Sequence, residues 1–272
     1  MTRNLFDLQD QIAVVTGGLG QLGKQFTLAL VDYGARVAVL DRSNDTELVA
    51  QRFGPQAENE RLKFLAADVT NRSSLEDALK EIENAWGSPS ILINNAGLDS
   101  PPNAPASDNG PFESFSEESW GAVLDVNLTG VFLCCQVFGG AMARAKRGSI
   151  INISSIYGLV SPDQRLYEYR QTEGAPFFKP ISYSVSKSGL LNLTRYLATY
   201  WAQSFVRVNT LTLGGVFNGQ DQTFLANYCY KVPLGRMASE DDYNGAVIFL
   251  ASNASAYMTG SNLIIDGGWT AW

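Results

Sequence analysis

TGGLGQLG, residues 16–23, follows the apolar β-branched run Ile12 to Val15 and opens a helical pattern in Leu22, Phe26, Ala29 and Leu30. Gly34 then stops the helix, and a second apolar run, Val37 to Leu40, ends at Asp41. Strand, helix and strand within about 30 residues make a βαβ unit. Gly18, Gly20 and Gly23 spell GxGxxG at the strand-to-helix turn. Such a turn lets the backbone approach a pyrophosphate, and the helix start offers free N–H groups and a positive dipole end. Gly17, Gly20, Gln21 and Leu22 are the residues expected against the cofactor. Asp41 lies 18 residues past Gly23, where an acid hydrogen-bonds ribose hydroxyls and repels a 2′-phosphate. That predicts NAD. Arg42, the next residue, is of the kind that accepts a 2′-phosphate, so NADP is the less favoured cofactor rather than an excluded one.

The alternation continues along the chain. Strands are expected at Phe64 to Ala67, Ile91 to Ile93, Ser149 to Ile153, Val206 to Leu211 and Leu263 to Ile265. Helices are expected at Ser74 to Trp86, Ser116 to Arg144, Tyr183 to Gln203 and Glu240 to Ala251. Short strands, apolar on both faces and separated by helices, predict an α/β fold: a doubly wound parallel (Rossmann) sheet of about seven strands, helices on both faces. A single domain over residues 1–272 is expected. Ligands bind such sheets beyond the strand carboxyl ends, where Asp41, Asp68, Asn94, Ser154 and Ser155 fall. Two segments break the rhythm: Asp99 to Pro111, and the longer Gly158 to Pro180. Loops of that length are usually functional.

Composition narrows the chemistry. With no histidine among 272 residues, serine–histidine hydrolysis, histidine-ligated zinc and histidine acid/base catalysis are excluded, and no metal site is expected. A net charge of -7 argues against a nucleic-acid partner. Cys134 and Cys135 lie in an apolar run and read as buried small residues of a reducing compartment. The N-terminus lacks an apolar signal core, and no run of 18 uncharged apolar residues appears, so a soluble, cytoplasmic chain without a membrane span is expected.

Tyr183 and Lys187 stand at i and i+4, on one face of a helix. A free tyrosine, with a pKa of about 10, is too weak a base at neutral pH. A neighbouring ammonium favours the phenolate. Ser182 is expected to cap the helix, which puts Tyr183 in the first turn, where the dipole acts in the same direction. Both effects are expected to lower the tyrosine pKa toward the range of a general acid/base.

Taken together, TGGLGQLG, Asp68-Val69, Asn94-Asn95-Ala96-Gly97, Asn127 in DVNLTG, Ser154-Ser155, YSVSK at Tyr183, Val208-Asn209 and TGSNLIIDGG resemble the short-chain dehydrogenase/reductase family in its single-domain branch, over nearly the whole chain. The resemblance implies roles. Tyr183 transfers the proton, and Lys187 lowers its pKa and holds the nicotinamide ribose. Ser155, ahead of Ser154, steadies the substrate oxygen, and Asn127 bends the long helix and serves a proton relay. Asp68 and Val69 meet the adenine, Asn95, Ala96 and Gly97 line the cofactor, and Gly214 and Val216 lie on the nicotinamide side. The activity implied is NAD(H)-linked interconversion of a secondary alcohol and a ketone on a sugar-like polar substrate. Homo-oligomers, tetramers or dimers, are also implied, with Trp269 and Trp272 packing either on a neighbouring subunit or within their own.

Three features depart from the family pattern. Gln21 stands where the branch has its middle glycine, so the loop fits TGxxGxxG, the spacing of a sugar-nucleotide-modifying branch. An epimerase or dehydratase that retains its NAD is therefore a second reading, and a non-catalytic NAD(H) sensor a third. Leu213-Gly214 replaces Pro-Gly, and Asn218 replaces a threonine, which predicts a looser nicotinamide-side loop. Finally, the gap from Ser155 to Tyr183 is about twice the usual one. Either a surface excursion or a substrate lid is expected there, a lid at least as much as an excursion, with Arg165 and Arg170 available to a phosphate or carboxylate. The stretch PDQRLYE also resembles family members of bacterial surface-sugar and flagellin-glycan synthesis.

Overall fold

The computed structural model describes residues 4–99, 106–171 and 176–272. The glycine stretch joins β1 (Ile12–Thr16) to α1 (Gln21–Asp32). There follow β2 (Arg36–Asp41), α2 (Thr46–Phe53), β3 (Leu62–Ala66), α3 (Arg72–Ala85) and β4 (Ile91–Asn94). The second half runs α4 (Glu117–Arg144), β5 (Gly148–Ser155), α5 (Ile181–Tyr200), β6 (Val206–Leu213), α6 (Gln222–Lys231), α7 (Asn244–Ala251) and β7 (Asn262–Ile265). All seven strands are parallel, in the order β3-β2-β1-β4-β5-β6-β7. The order reverses between β1 and β4, which opens a crevice at their carboxyl ends.

Period-two alternation sends each strand's side chains into two cores. Val14, Ala38, Leu92, Ile150 and Val208 pack on one face against α3, α4 and α5. Ala13, Val15, Val37, Val39, Ile93 and Leu211 pack on the other against α1 and α7. This explains why the strands read as continuous apolar runs. Phe26 on α1 and Phe138 on α4 are fully buried, each contributing on the order of 2–3 kcal/mol.

The long helix α4 starts at its N-cap Ser116, whose hydroxyl accepts the Ser119 N–H at 3.2 Å. By length and composition alone α4 is long and apolar enough to cross a membrane. Val123, Val131, Cys134, Phe138 and Met142 are instead buried, most of them in the core under the sheet. Its hydrogen-bond ladder widens into π turns at Asp125–Thr129 and Cys135–Gly139. Cys134 and Cys135 are buried free thiols, both pushed up in pKa by desolvation.

Two helices were not anticipated. In α2, only Val49 and Phe53 are buried, too few to print a period. In α6, Phe224 and Tyr228 make the buried stripe, and the signal for its start was Asp221, which accepts the Phe224 N–H at 2.8 Å. The expected capping by Ser182 does not occur. Pro180 is the N-cap of α5, because a proline with extended ψ starts the helix one turn before Tyr183. Tyr183 remains in the first turn. Of the two irregular segments, residues 100–105 and 172–175 lie outside the described residues.

Candidate active site

The crevice between β1 and β4 is tied together by side chains at the strand ends. Thr16 Oγ1 accepts the N–H groups of Asn95 and Ala96, both at 3.1 Å. The Asn95 amide donates back to the carbonyls of Thr16 and Gly17 at 3.0 and 3.1 Å. Gly17 has φ +61°, and a Cβ there would sit 2.8 Å from Ala96 Cα. A Cβ at Gly23 would sit 2.2 Å from the Gly17 carbonyl oxygen. Only glycines allow this path, and the first turn of α1 has no side-chain cap on its N–H groups. The cradle therefore fits a dinucleotide phosphate.

From this cradle a groove of about 460 Å³ runs along the strand ends. Gly17, Gly20, Gln21, Leu22, Asp41, Arg42, Asp68, Val69, Asn95, Ala96 and Gly97 all line it. The Asp41 carboxylate is fixed by the N–H groups of Leu19 and Arg42 at 3.1 and 2.9 Å. Asp68 is fixed through the N–H and hydroxyl of Thr70 at 2.8 and 2.7 Å.

A second cavity, about 510 Å³, shares Leu22, Asn95, Gly97 and Leu98 with the groove and holds Ser155, Tyr183, Lys187, Gly214 and Val216. β5 supplies both serines, which divide their work. Ser154 Oγ donates to the Lys187 carbonyl at 3.0 Å and locks β5 to α5. Ser155 lines the cavity beside Tyr183, where a hydroxyl directed at the phenol oxygen favours the phenolate. Lys187 is buried; its Nζ donates to the Ile153 carbonyl at 2.9 Å and lies 5.8 Å from the Tyr183 ring centroid. Desolvation lowers the lysine to about 8, so its ammonium persists at neutral pH. Asn127 lies in the first π turn of α4, fully buried. It does not line the cavity. It brackets Leu98 instead, accepting its N–H at 2.7 Å and donating to its carbonyl at 2.8 Å, and reaches Ser186 Oγ at 3.0 Å.

The tyrosine pKa moves opposite to the sequence expectation. Burial pushes Tyr183 up to about 12, the nearby Ser155 hydroxyl opposes the rise, and the charge of Asp99 and neighbouring Tyr167 add to it. Helical spacing revealed the ammonium but not the desolvation, which dominates.

The nicotinamide-side loop is not loose, despite its substitutions. Gly214 N–H donates to Ile265 at 2.9 Å, Gly215 N–H to Tyr228 Oη at 2.6 Å, and Phe217 N–H to Ala238 at 2.9 Å. Gln21, the residue in the glycine's place, donates to the Phe217 carbonyl at 2.9 Å and so joins the glycine loop to this one. A glycine could not make that bond.

The long segment before α5 forms a 3₁₀ turn, Gln164–Arg170, that buries Leu166 and Tyr167 against Phe224 and Tyr228 of α6. Ile156, Tyr157, Met237 and Trp269 complete this cluster, so Trp269 packs within its own chain while Trp272 is exposed. Arg170 lines the cavity, held by Asp221 at 3.0 Å and by Tyr169 Oη at 2.9 Å. Arg165 does not reach it; its guanidinium closes on Asp163 at 2.8 Å. Sequence reasoning missed Tyr157, Tyr167, Lys179, Gln220 and Tyr228, all of which line the cavity. None belongs to a spaced motif.

Comparison with known proteins agrees with this geometry. A family model described as enoyl-(acyl carrier protein) reductase matches residues 20–270. Galactitol 2-dehydrogenase of Rhizobium johnstonii is 32% identical, over 98% of this chain and 98% of its own. The crystal structure of a short chain dehydrogenase from Leptospira borgpetersenii with bound NAD+ is 35% identical, with a TM-score of 0.84 over 99% of this chain and 97% of that one. Gluconate 5-dehydrogenase from Burkholderia cenocepacia, in complex with NADP and tartrate, is 28% identical, with a TM-score of 0.83 over 98% of both chains. The family model and these relatives cover nearly the whole chain, and the chain belongs to the short-chain dehydrogenase/reductase family of oxidoreductases.

Proposed function

We propose that this chain is an NAD(H)-linked dehydrogenase that interconverts a secondary alcohol and a ketone on a polyol or related polyhydroxylated substrate. The observation that carries the reading is Tyr183, Ser155 and Lys187 side by side on a 510 Å³ cavity that shares lining residues with the dinucleotide groove. The hydroxyls of Tyr157, Tyr167 and Tyr228, with Gln220, give that cavity a wall suited to substrate hydroxyl groups. The galactitol activity named for a relative is of the same substrate class.

The cofactor, held by the glycine cradle, Asp41, Asp68, Asn95 and Lys187, supplies the hydride acceptor or donor. Tyr183 and Ser155 converge on one substrate oxygen. In ketone reduction the Tyr183 phenol, neutral at neutral pH, donates its proton to the developing alkoxide. In alcohol oxidation the phenolate takes the hydroxyl proton, with the buried Lys187 ammonium stabilising it. Asn127 fixes Leu98, which walls both groove and cavity, and so holds their junction. Asp41 supports NAD over NADP, because a 2′-phosphate would meet a carboxylate already held in place by two backbone N–H groups. The relatives of known structure include both an NAD+ and an NADP complex, so the cofactor needs its own test.

The test is a panel of galactitol, shorter polyols, aldonates, sugar phosphates and sugar nucleotides, offered with NAD+ and with NADP+ and followed by cofactor absorbance. We expect oxidation of a polyol with one NADH released per ketone, and NAD+ favoured at least ~10-fold in kcat/KM. Turnover of a sugar nucleotide without NADH release would replace the proposal with an epimerase that retains its cofactor. Preference for NADP+ would overturn the role given to Asp41.

A further inference from the structure

The lengthened segment between Ser155 and Tyr183 places a second ammonium beside the Tyr183 ring. Lys179 is the last residue but one before α5, and its backbone is fixed. Its N–H donates to Gln164 Oε1 at 2.8 Å, and the preceding residue, Phe178, donates to the Asn109 carbonyl at 2.6 Å. The Lys179 side chain is only 15% exposed. Its ammonium lies 5.5 Å from the Tyr183 ring centroid, slightly nearer than the 5.8 Å of Lys187. There it pairs with the carboxylate of Asp99, which comes from the segment after β4 and lines the same cavity.

Among the described residues, Tyr157 and Tyr228 of the aromatic cluster face Tyr183, together with four other charged or titratable groups. Asp99 comes from the segment after β4, Tyr167 from the 3₁₀ turn, Lys179 from the end of the long segment and Lys187 from α5. Arg170 shares the cavity, but Asp221 and Tyr169 hold its guanidinium. A cation within about 6 Å of an aromatic ring is attracted to its π face, and more so once the ring carries a phenolate charge. A carboxylate at the same site has the reverse effect. Lys179 and Asp99 thus act on Tyr183 with opposite sign.

We propose that Lys179 is a positioning residue for the proton transfer: a second ammonium that favours the Tyr183 phenolate, with Asp99 as its counterweight. The inference rests on the reading that Tyr183 exchanges a proton with substrate. It gives the long segment a role in the chemistry beyond covering the cavity. Burial sets the base level of the phenol's pKa, and the pair tunes it.

The test reads Tyr183 directly. Ultraviolet phenolate absorbance is titrated in the full-length protein with saturating NAD+, and the Tyr183→Phe titration is subtracted. The kcat/KM profile for galactitol oxidation gives a second readout. Lys179→Gln should raise the Tyr183 midpoint by about half a unit to one unit, less than for an isolated partner because Asp99 is left behind. Lys179→Arg should keep it near the wild-type value. Asp99→Asn should lower it. Loss of loop structure would move Lys179→Gln and Asp99→Asn in the same direction, so opposite shifts separate electrostatics from damage. Shifts of one sign, or no shift in either variant, would overturn the proposal. Opposite shifts in a chain that oxidises no polyol would leave this inference standing and remove the proposed activity instead.

Discussion

The dinucleotide groove and the substrate cavity meet at Leu22, Asn95, Gly97 and Leu98, yet they are built from different materials. The groove is made of backbone: a glycine turn, four strand ends, and side chains such as Asn95 and Thr16 that bind main-chain groups. Every part sits at a position that the parallel sheet dictates. The far wall of the cavity is made of side chains instead: Tyr157, Tyr167, Phe224 and Tyr228, backed by Trp269, cluster outside the two main cores. Ion pairs of Asp163 with Arg165 and Lys231, and of Asp221 with Arg170, fasten it. A binding site made from a sheet's own termini is specified by the fold; a site made from a packed loop is specified by its contacts and can change independently. The two halves should therefore respond separately to perturbation.

The largest separation is expected from Gly17→Val. The new side chain would meet Ala96 at backbone distance and force a β-branched residue to a positive φ. Dinucleotide affinity, read by NADH fluorescence titration, should fall at least ~100-fold, about 2.7 kcal/mol. Trp269 emission, which reports the aromatic cluster, should change little. Unaltered NADH binding would break the contrast from the groove side.

A smaller and complementary effect is expected from Phe224→Ala. Removing this ring from between Tyr167 and Tyr228 should cost about 3 kcal/mol in urea unfolding. The KM for a polyol should rise by about 10-fold through misplacement of the wall. NADH affinity should stay within about 2-fold of wild type. A matching loss of NADH binding would show that the halves are coupled.

The smallest effect concerns acid. Arg165, followed by Lys231, holds the Asp163 carboxyl well below the usual carboxylate range. Tyr169, with the Phe224 N–H and Arg170, holds Asp221 at about 2. Both are lowered in the folded chain, so their support is complete above an unfolded pKa of about 4 and is lost as pH falls through the folded values. Pepsin should cut within residues 158–180 before it cuts the sheet as pH drops from about 4 toward 2. Asp221→Asn should weaken that pH dependence. Uniform cleavage across the chain would sharpen the comparison by removing the fasteners from it.

The same division governs what can be read from sequence. All seven strands lie within a few residues of the expected runs, because strands buried on both faces print as apolar blocks. Asp41, Asp68, Asn94, Ser154 and Ser155 fall at or just beyond strand ends, while Asn95 and the choice of Ser155 over Ser154 came from the family resemblance. Gly17 follows from the glycine spacing after a strand, whereas the i, i+4 spacing of Lys187 gains meaning only from the other motifs around it. Helix α6 and the residues Tyr157, Tyr167 and Tyr228 are not. They converge through a 3₁₀ turn and aromatic stacking, which carry neither period. Arg165 illustrates the limit: its charge was visible, but its commitment to Asp163 two residues away was a matter of side-chain geometry. The tyrosine pKa shows another. The i, i+4 lysine is a local fact, whereas the desolvation that outweighs it is tertiary.

The most direct test is Tyr183→Phe, measured for NADH binding and for NADH formation from the best polyol of the panel. The substitution removes one oxygen and keeps the ring in the aromatic cluster. NADH affinity should remain within about 2-fold of wild type, while kcat falls by at least ~10³-fold because the hydroxyl that exchanges the substrate proton is gone. Undiminished NADH formation by Tyr183→Phe would contradict the account.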